Sequence, residues 1–274
     1  MFRGAAKNLK NNFFGCCYAF SLFHFSFNPS LLAADLEVYG EHSSWIFDVP
    51  ATSDANHFED SSLLRFRAFG MNDRQVLRPY LTLSGSRDRI SDSDAASSVV
   101  ETTKAGAGLH FAISKSPLQI FVEGRQVDEA RPLADLRSNR REAVIIAVLS
   151  GETKPLNEHV SSKAAWYADL NHFVPFGGRD YDAASGWFRF SASMIGDSVL
   201  SITLDPIDLM AYRECLDGCR GWFFAGVGLS AGYSNSSLSI LLRGSVGERF
   251  NEKADQAVRS EDAARLLLTF GGSF

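Results

Sequence analysis

Apolar and polar residues alternate with a period of two over most of the chain after residue 34. In 77–84 the odd positions are apolar and the even positions are mostly polar, and the same alternation recurs in 104–113, 118–123, 187–194 and 238–243. This period is the spacing of side chains on one face of a β-strand. Charged residues fall mid-strand on the second face, which is typical of strands with one face in lipid and one in a wet lumen.

The alternation predicts twelve strands of roughly ten residues each, continuing to the end of the chain. Segment 144–149, VIIAVL, is predicted to be apolar on both faces. The predicted strands are 35–47, 62–70, 75–86, 103–113, 118–127, 141–150, 164–176, 186–195, 199–205, 221–233, 237–246 and 263–274.

The connections between these strands alternate in length. Segments 71–74 and 234–236 are short, whereas 87–102 and 247–262 are long and polar. Outer-membrane barrels combine tight periplasmic turns with large external loops, and a β-sandwich has no reason to sort its connections in this way. We therefore predict an all-β fold, a transmembrane antiparallel up-and-down β-barrel that closes because an open edge would leave backbone groups unpaired in hydrocarbon.

The first 34 residues have the pattern of a secretory signal peptide. Arg3, Lys7 and Lys10 precede an apolar run at 13–27, and small residues offer a cleavage point after Ala34. The alternative is an N-terminal anchor helix. The expected organisation is a signal peptide at 1–34 and a barrel at 35–274, located in the outer membrane of a Gram-negative cell.

Charge and cysteine content narrow the functional classes further. The formal net charge is −5 and becomes more negative without residues 1–34, which argues against a nucleic-acid partner. Cys215 and Cys219 flank an Asp-Gly turn and predict a disulfide in an external loop. The alternatives are a reduced pair or half of a metal site, for which no further His or Cys lies near. We expect no metal and no cofactor.

Catalysis needs consideration because some twelve-stranded outer-membrane barrels are enzymes. His42 stands two residues before Ser44, as in the outer-membrane phospholipase type, but Trp45 follows where that type has Asn-Gly. His172 has no serine partner in the sequence, and the Asp-His dipeptide of omptin-type proteases is absent. We therefore expect no enzymatic activity, and a lipid-modifying enzyme is the third-ranked alternative.

The polar face of the predicted strands carries a set of charged residues that would line the lumen. They form either a selectivity ladder for anionic or hydroxyl-rich solutes, or internal ion pairs that plug a narrow barrel. Five aromatic residues, Trp166, Trp187, Trp222, Tyr80 and Tyr167, are candidates for interface girdles or for sugar-stacking platforms. The charged set is Arg65, Arg67, Arg78, Lys104, Glu123, Arg125, Asp169, Arg189, Arg243 and Arg265.

Four stretches, 104–126, 164–193, 224–244 and 266–274, resemble the C-terminal β-barrel domain of phage-adsorption protein A and cellulose-synthase-subunit-C exporters. The resemblance implies a channel for an extracellular polysaccharide that works with a periplasmic helical-repeat scaffold. Those exporters carry the repeats on the same chain. Residues 1–274 contain none, so a scaffold would be a separate protein.

The last strand resembles the signal that barrel-assembly machinery recognises in outer-membrane proteins. Phe270 and Phe274 fit this signal, whereas Gly272 replaces its usual aromatic or aliphatic residue. The predicted function is a porin-like channel for export of a polysaccharide or passage of polar solutes. The expected partners are outer-membrane lipid, the assembly machinery and, if a scaffold is used, a separate periplasmic protein. The alternative is a plugged barrel that acts as a receptor or adhesin through its external loops.

Overall fold

The chain folds into a closed barrel of twelve antiparallel strands, with each strand paired to its neighbours in sequence and β1 paired to β12. The prediction of a twelve-stranded outer-membrane β-barrel is confirmed. The computed structural model describes residues 35–48, 57–70, 76–91, 98–112, 116–153, 162–196, 199–216, 218–253 and 256–273. The predicted signal peptide lies outside these residues.

The strands are 13 to 18 residues long, and β5 and β6 are joined through a short 3₁₀ turn at Pro132–Ala134. None of the helical segments among the described residues has the length and apolar character needed to cross a membrane. The strand bounds are β1 Asp35–Asp48, β2 His57–Phe69, β3 Leu77–Ser91, β4 Ser98–Ala112, β5 Leu118–Arg131, β6 Leu136–Glu152, β7 Ser162–Pro175, β8 Tyr181–Gly196, β9 Leu200–Cys215, β10 Cys219–Ser234, β11 Leu238–Lys253 and β12 Gln256–Ser273.

The two faces of the wall differ in polarity as the alternation predicts. In β3, Leu81 is 58% exposed on the outer face, whereas Tyr80 and Thr82 are buried inside. In β6, Ile145 and Leu149 are exposed on the outer face, as expected for a segment that is apolar on both sides. An apolar outer face and paired backbone groups are what a strand needs to cross hydrocarbon, so the wall is built for a membrane.

The prediction of long external loops is wrong where the structure describes the chain. β3 extends to Ser91 and β4 begins at Ser98, so most of the polar segment 87–102 is strand. Likewise, β11 ends at Lys253 and β12 begins at Gln256. A strand needs only about 9–11 residues to cross the bilayer. Backbone pairing then continues into water, where polar side chains pair across strands.

The barrel has two ends that we name by the chain termini. The near end is where β1 starts at Asp35 and β12 finishes at Ser273, and the far end is the opposite one. Val38 pairs with Gly272 and Gly40 with Phe270, so the last strand is held against the first. Phe274 lies outside the described residues, and its role in an assembly signal stays a prediction.

Phe270 also has a packing role, because its ring covers Gly40 in the space that a Cβ would occupy. We expect Gly40→Val to displace the ring and to lower the free energy of unfolding by roughly 1–3 kcal/mol. Gly124→Val is the control, since a Cβ there meets nothing within 4 Å. Urea titration in lipid vesicles measures both, and equal stability of the two variants would contradict this role.

Candidate functional site

The interior of the barrel is the main candidate site. All ten residues of the predicted charged set lie on inward positions of their strands, in alternation with outward apolar residues. Arg65, for example, lies over the ring of Tyr39, and Arg78 lies over the ring of Phe69. Their role as the lining of an open pore stays a prediction, since most of them already have partners inside the barrel.

Two fully buried carboxylates of β9 organise one network of ion pairs and hydrogen bonds in the interior. Arg243 Nε donates to Asp205 Oδ2 at 2.8 Å, and Arg189 Nε donates to Asp208 Oδ1 at 2.8 Å. Hydroxyls of Ser191 and Ser245 donate to the remaining oxygens of these carboxylates, each at 2.6 Å. Both guanidinium groups are thus held in place by charge-assisted hydrogen bonds.

A β-bulge explains why both aspartates reach the interior. Residues three apart in a regular strand face opposite sides. The register of β9, however, shifts against β10 between Asp205 and Asp208 and against β8 between Leu204 and Ile207. Sequence reasoning missed Asp208 because the predicted strand ended at residue 205. Pro206 is the signal that could have found it, since proline within a strand marks an edge or a bulge.

A second network lies on β5 and β6. Arg125 Nη2 contacts Glu142 Oε1 at 2.7 Å, and Tyr80 OH donates to Glu123 Oε2 at 2.9 Å. Glu142 is fully buried and also accepts from Arg140 Nε at 3.1 Å. Sequence reasoning did not select Glu142, although it shares the inner face with Arg125 across the strand pair.

A third set joins β11, β12, β1 and β2. Arg249 Nη1 contacts Glu59 Oε2 at 2.6 Å, although both residues were assigned to connections in the sequence. Arg265 Nε donates to Ser43 Oγ at 2.9 Å, and its Nη2 lies 3.4 Å from Glu41 Oε1. The interior therefore favours the ion-pairing interpretation for most of the charged set.

Aromatic side chains pack together in the interior near the far end of the barrel. The far-end cluster consists of Trp45, Phe47, Met210, Phe224 and Ala263, all buried, with Trp187 and Trp222 packed against it. The Trp45 ring centroid lies 5.2 Å from that of Phe224 and 5.6 Å from that of Trp222.

A smaller near-end cluster consists of Phe69, Tyr80 and Phe121. The guanidinium of Arg67 lies 4.5 Å from the ring centroid of Phe121, and its Nε donates no hydrogen bond to any residue that the structure describes. A buried guanidinium with a free donor is equipped to bind an acceptor oxygen.

The structure also separates girdle residues from lumen residues. Tyr80, Tyr167, Trp187 and Trp222 face inward, so the girdle interpretation is wrong for these four. Trp166 faces outward and covers Gly151 of the neighbouring strand. The inward rings lie next to charged groups, an arrangement that can stack on sugars and bond their hydroxyls.

The predicted cysteine pair is a disulfide in the structure. Cys215 and Cys219 are directly opposite each other in β9 and β10 and are joined at the far end of the barrel. Across the described ranges, no group of three His, Cys, Asp or Glu side chains is arranged to hold a metal ion.

The two histidines considered for catalysis lie on the outer wall. His42 Nε2 lies 3.4 Å from Ser44 Oγ, and His42 Nδ1 lies 2.9 Å from Ser62 Oγ on the neighbouring strand. His172 Nδ1 lies 2.8 Å from Asp182 Oδ1. The structure thus gives His42, but not His172, a bond to a serine hydroxyl.

Neither a protein-family model nor a curated protein matches the sequence. Among solved structures, the β domain of the Bordetella autotransporter BrkA has a TM-score of 0.49 and 11% identity, over 88% of this chain and 100% of that one. An outer-membrane channel from Pseudomonas putida F1 has a TM-score of 0.48 and 15% identity, over 89% and 96%. A bacterial polysaccharide outer membrane secretin has a TM-score of 0.40 and 11% identity, over 86% and 97%. At these similarities none of them indicates what this chain carries or does.

Proposed function

We propose that the protein is an outer-membrane channel for carbohydrate, and that its cargo is an exported polysaccharide. The observation that carries this proposal is the placement of Tyr80, Tyr167, Trp187 and Trp222 inside the barrel, next to carboxylates and guanidinium groups. Aromatic faces stack on the apolar faces of sugars, and charged groups bond the hydroxyls. The resemblance of the sequence to exopolysaccharide exporters points the same way.

The proposal includes a periplasmic helical-repeat scaffold, because the resemblance to the exporters implies one. It also includes movement of the far-end cluster, since buried rings fill that part of the interior. In this proposal the rings of the far-end cluster narrow the path, and cargo or scaffold displaces them.

Block of conductance by oligosaccharides tests the proposal. We expect the full chain in planar bilayers to conduct ions and neutral oligosaccharides to block the current. Replacing Trp187 and Trp222 together by alanine should weaken the block about tenfold, because each aromatic contact contributes roughly 0.5–1.5 kcal/mol. Trp166→Ala is the matched control, since this ring lies outside the barrel. A conducting barrel that no oligosaccharide blocks would contradict the carbohydrate cargo.

A plugged structural barrel is the second candidate, and the buried far-end cluster favours it. A receptor or adhesin would have to bind its partner at the far end. The strands extend almost to their connections there, so the binding surface would include the strand ends. The absence of any current, in the wild type and in variants that remove the rings, would support this candidate over the channel.

A further inference from the structure

Four polar side chains cluster on the outer wall, with apolar residues of β12 beside them on one side and charged residues of β3 on the other. His42 and Ser44 of β1 pair in register with Ser62 and Asp60 of β2. Hydroxyls, a carboxylate and an imidazole on the lipid face of a barrel oppose insertion in proportion to their depth. Such groups are retained in membranes where they serve a function, which makes this outer cluster a candidate site.

The surroundings of the outer cluster place it where the apolar belt meets a charged rim. Leu266 and Leu268 of β12 lie opposite Ser44 and His42 on one side. On the other side, Arg87 and Arg89 of β3 lie opposite Ser62 and Asp60. The acyl chains of a lipid in the adjoining leaflet would therefore contact the apolar wall, and its head group would contact the charged residues.

The hydrogen bonds within the outer cluster connect a nucleophile to a base. One imidazole lies between two hydroxyls, with Nε2 3.4 Å from Ser44 Oγ and Nδ1 2.9 Å from Ser62 Oγ. When Nδ1–H donates to Ser62, Nε2 presents its lone pair to Ser44. The single proton of the Ser44 hydroxyl is donated to Asp60 Oδ1 at 2.5 Å, so the hydroxyl turns from Asp60 to Nε2 when the imidazole takes that proton. A serine beside a histidine whose other nitrogen is held by a third group has the parts of a covalent acyl-transfer site.

We propose that this outer cluster is an esterase site that hydrolyses acyl esters of membrane lipids. Ser44 Oγ bonds to the ester carbonyl carbon as its proton passes to His42 Nε2. The ester C–O bond then breaks, and His42 gives the proton to the departing lipid hydroxyl. Water attacks the acyl-serine through the same base, releasing the fatty acid and returning the proton to Ser44. Ser62 orients the imidazole, and Asp60 holds the Ser44 hydroxyl beside it before the reaction.

The site is separate from the interior and does not depend on channel function. Its substrate arrives sideways from the leaflet and never enters the lumen. The sequence alone predicts no enzyme, because Ser62 and Asp60 come next to His42 and Ser44 only through the pairing of β2 with β1.

Covalent labelling and lipid hydrolysis test this proposal with the purified full chain in detergent. We expect a fluorophosphonate probe to label Ser44, located by peptide mass spectrometry. Ser44→Ala should lose the label, and Ser44→Ala and His42→Gln should each lower fatty-acid release at least a hundredfold, within the range of general base and nucleophile contributions. Asp60→Asn should retain labelling, because the base His42 is unchanged and the amide oxygen still accepts from Ser44 Oγ. Phosphatidylethanolamine vesicles and lipopolysaccharide, tested separately, identify which lipid supplies the ester.

Two controls separate chemistry from folding. Ser61→Ala changes the neighbouring serine, which bonds Asp88 instead of the outer cluster, and His172→Gln changes an outward histidine that bonds a carboxylate. Both should leave release unchanged, and heat-dependent mobility on gels reports folding of every variant. The proposal is overturned if neither lipid releases fatty acid, or if folded Ser44→Ala releases it at the wild-type rate. The proposal is supported if either lipid releases fatty acid with the wild type and this release is lost in Ser44→Ala.

Discussion

Asp208→Ala is expected to lower the free energy of unfolding by about 3–5 kcal/mol, because it removes one partner of a buried ion pair. Asp208 is fully buried and accepts from Arg189 Nε at 2.8 Å and from Ser245 Oγ at 2.6 Å. Without the carboxylate, the guanidinium of Arg189 stays in the interior with its charge uncompensated. Leaving that charge buried costs more than the lost hydrogen bonds alone.

Urea unfolding in lipid vesicles, followed by tryptophan fluorescence, measures this loss. Asp208→Asn should lose less, because the amide oxygen still accepts from one of the two donors. Glu152→Ala is the control, since its contact with Lys163 is exposed and such pairs contribute roughly 0–1 kcal/mol. A loss below 1 kcal/mol for Asp208→Ala would show that water reaches Arg189, and hence that the interior is wetter than the contacts indicate.

The alternation in the sequence is sufficient to predict the wall of the barrel and the face of each residue in the regular parts of the predicted strands. Lipid requires a continuous apolar outer face, so the period of two is strongly imposed in the spanning part of every strand. Arg189 and Arg243 could be assigned inward for this reason alone. The same reasoning placed the last strand against the first.

The contacts that define the candidate sites could not be predicted, because they join residues far apart in sequence. His42 meets Ser62 only through the register of β1 on β2, and 42–62 contains no signal for that register. Asp208 faces inward only through the bulge in β9. The sequence predicts loops at the polar ends of the strands, because strand pairing beyond the membrane needs no apolar side chains and so leaves no alternation to detect.

Substitutions in the far-end cluster can distinguish an open interior from a plugged one. Phe224 is fully buried and Phe47 is 1% exposed, and both rings lie beside Trp45. A ring that blocks a path opens it when removed, whereas a ring that merely fills a core leaves a dry cavity. The same substitution therefore gives different currents in the two cases.

Phe224→Ala is expected to raise the conductance in planar bilayers severalfold, because it removes a ring from the far-end cluster. It should also lower the free energy of unfolding by about 3–5 kcal/mol, so folding must be checked on heated and unheated gels. Phe223→Ala is the matched control, since the neighbouring ring is 42% exposed on the outer wall and lies outside the path. Equal currents from folded Phe224→Ala, Phe223→Ala and the wild type would place the barrier elsewhere. No current from any of them would favour the plugged barrel, because removing a single fully buried ring at the far end would then leave the ion-paired interior still closed.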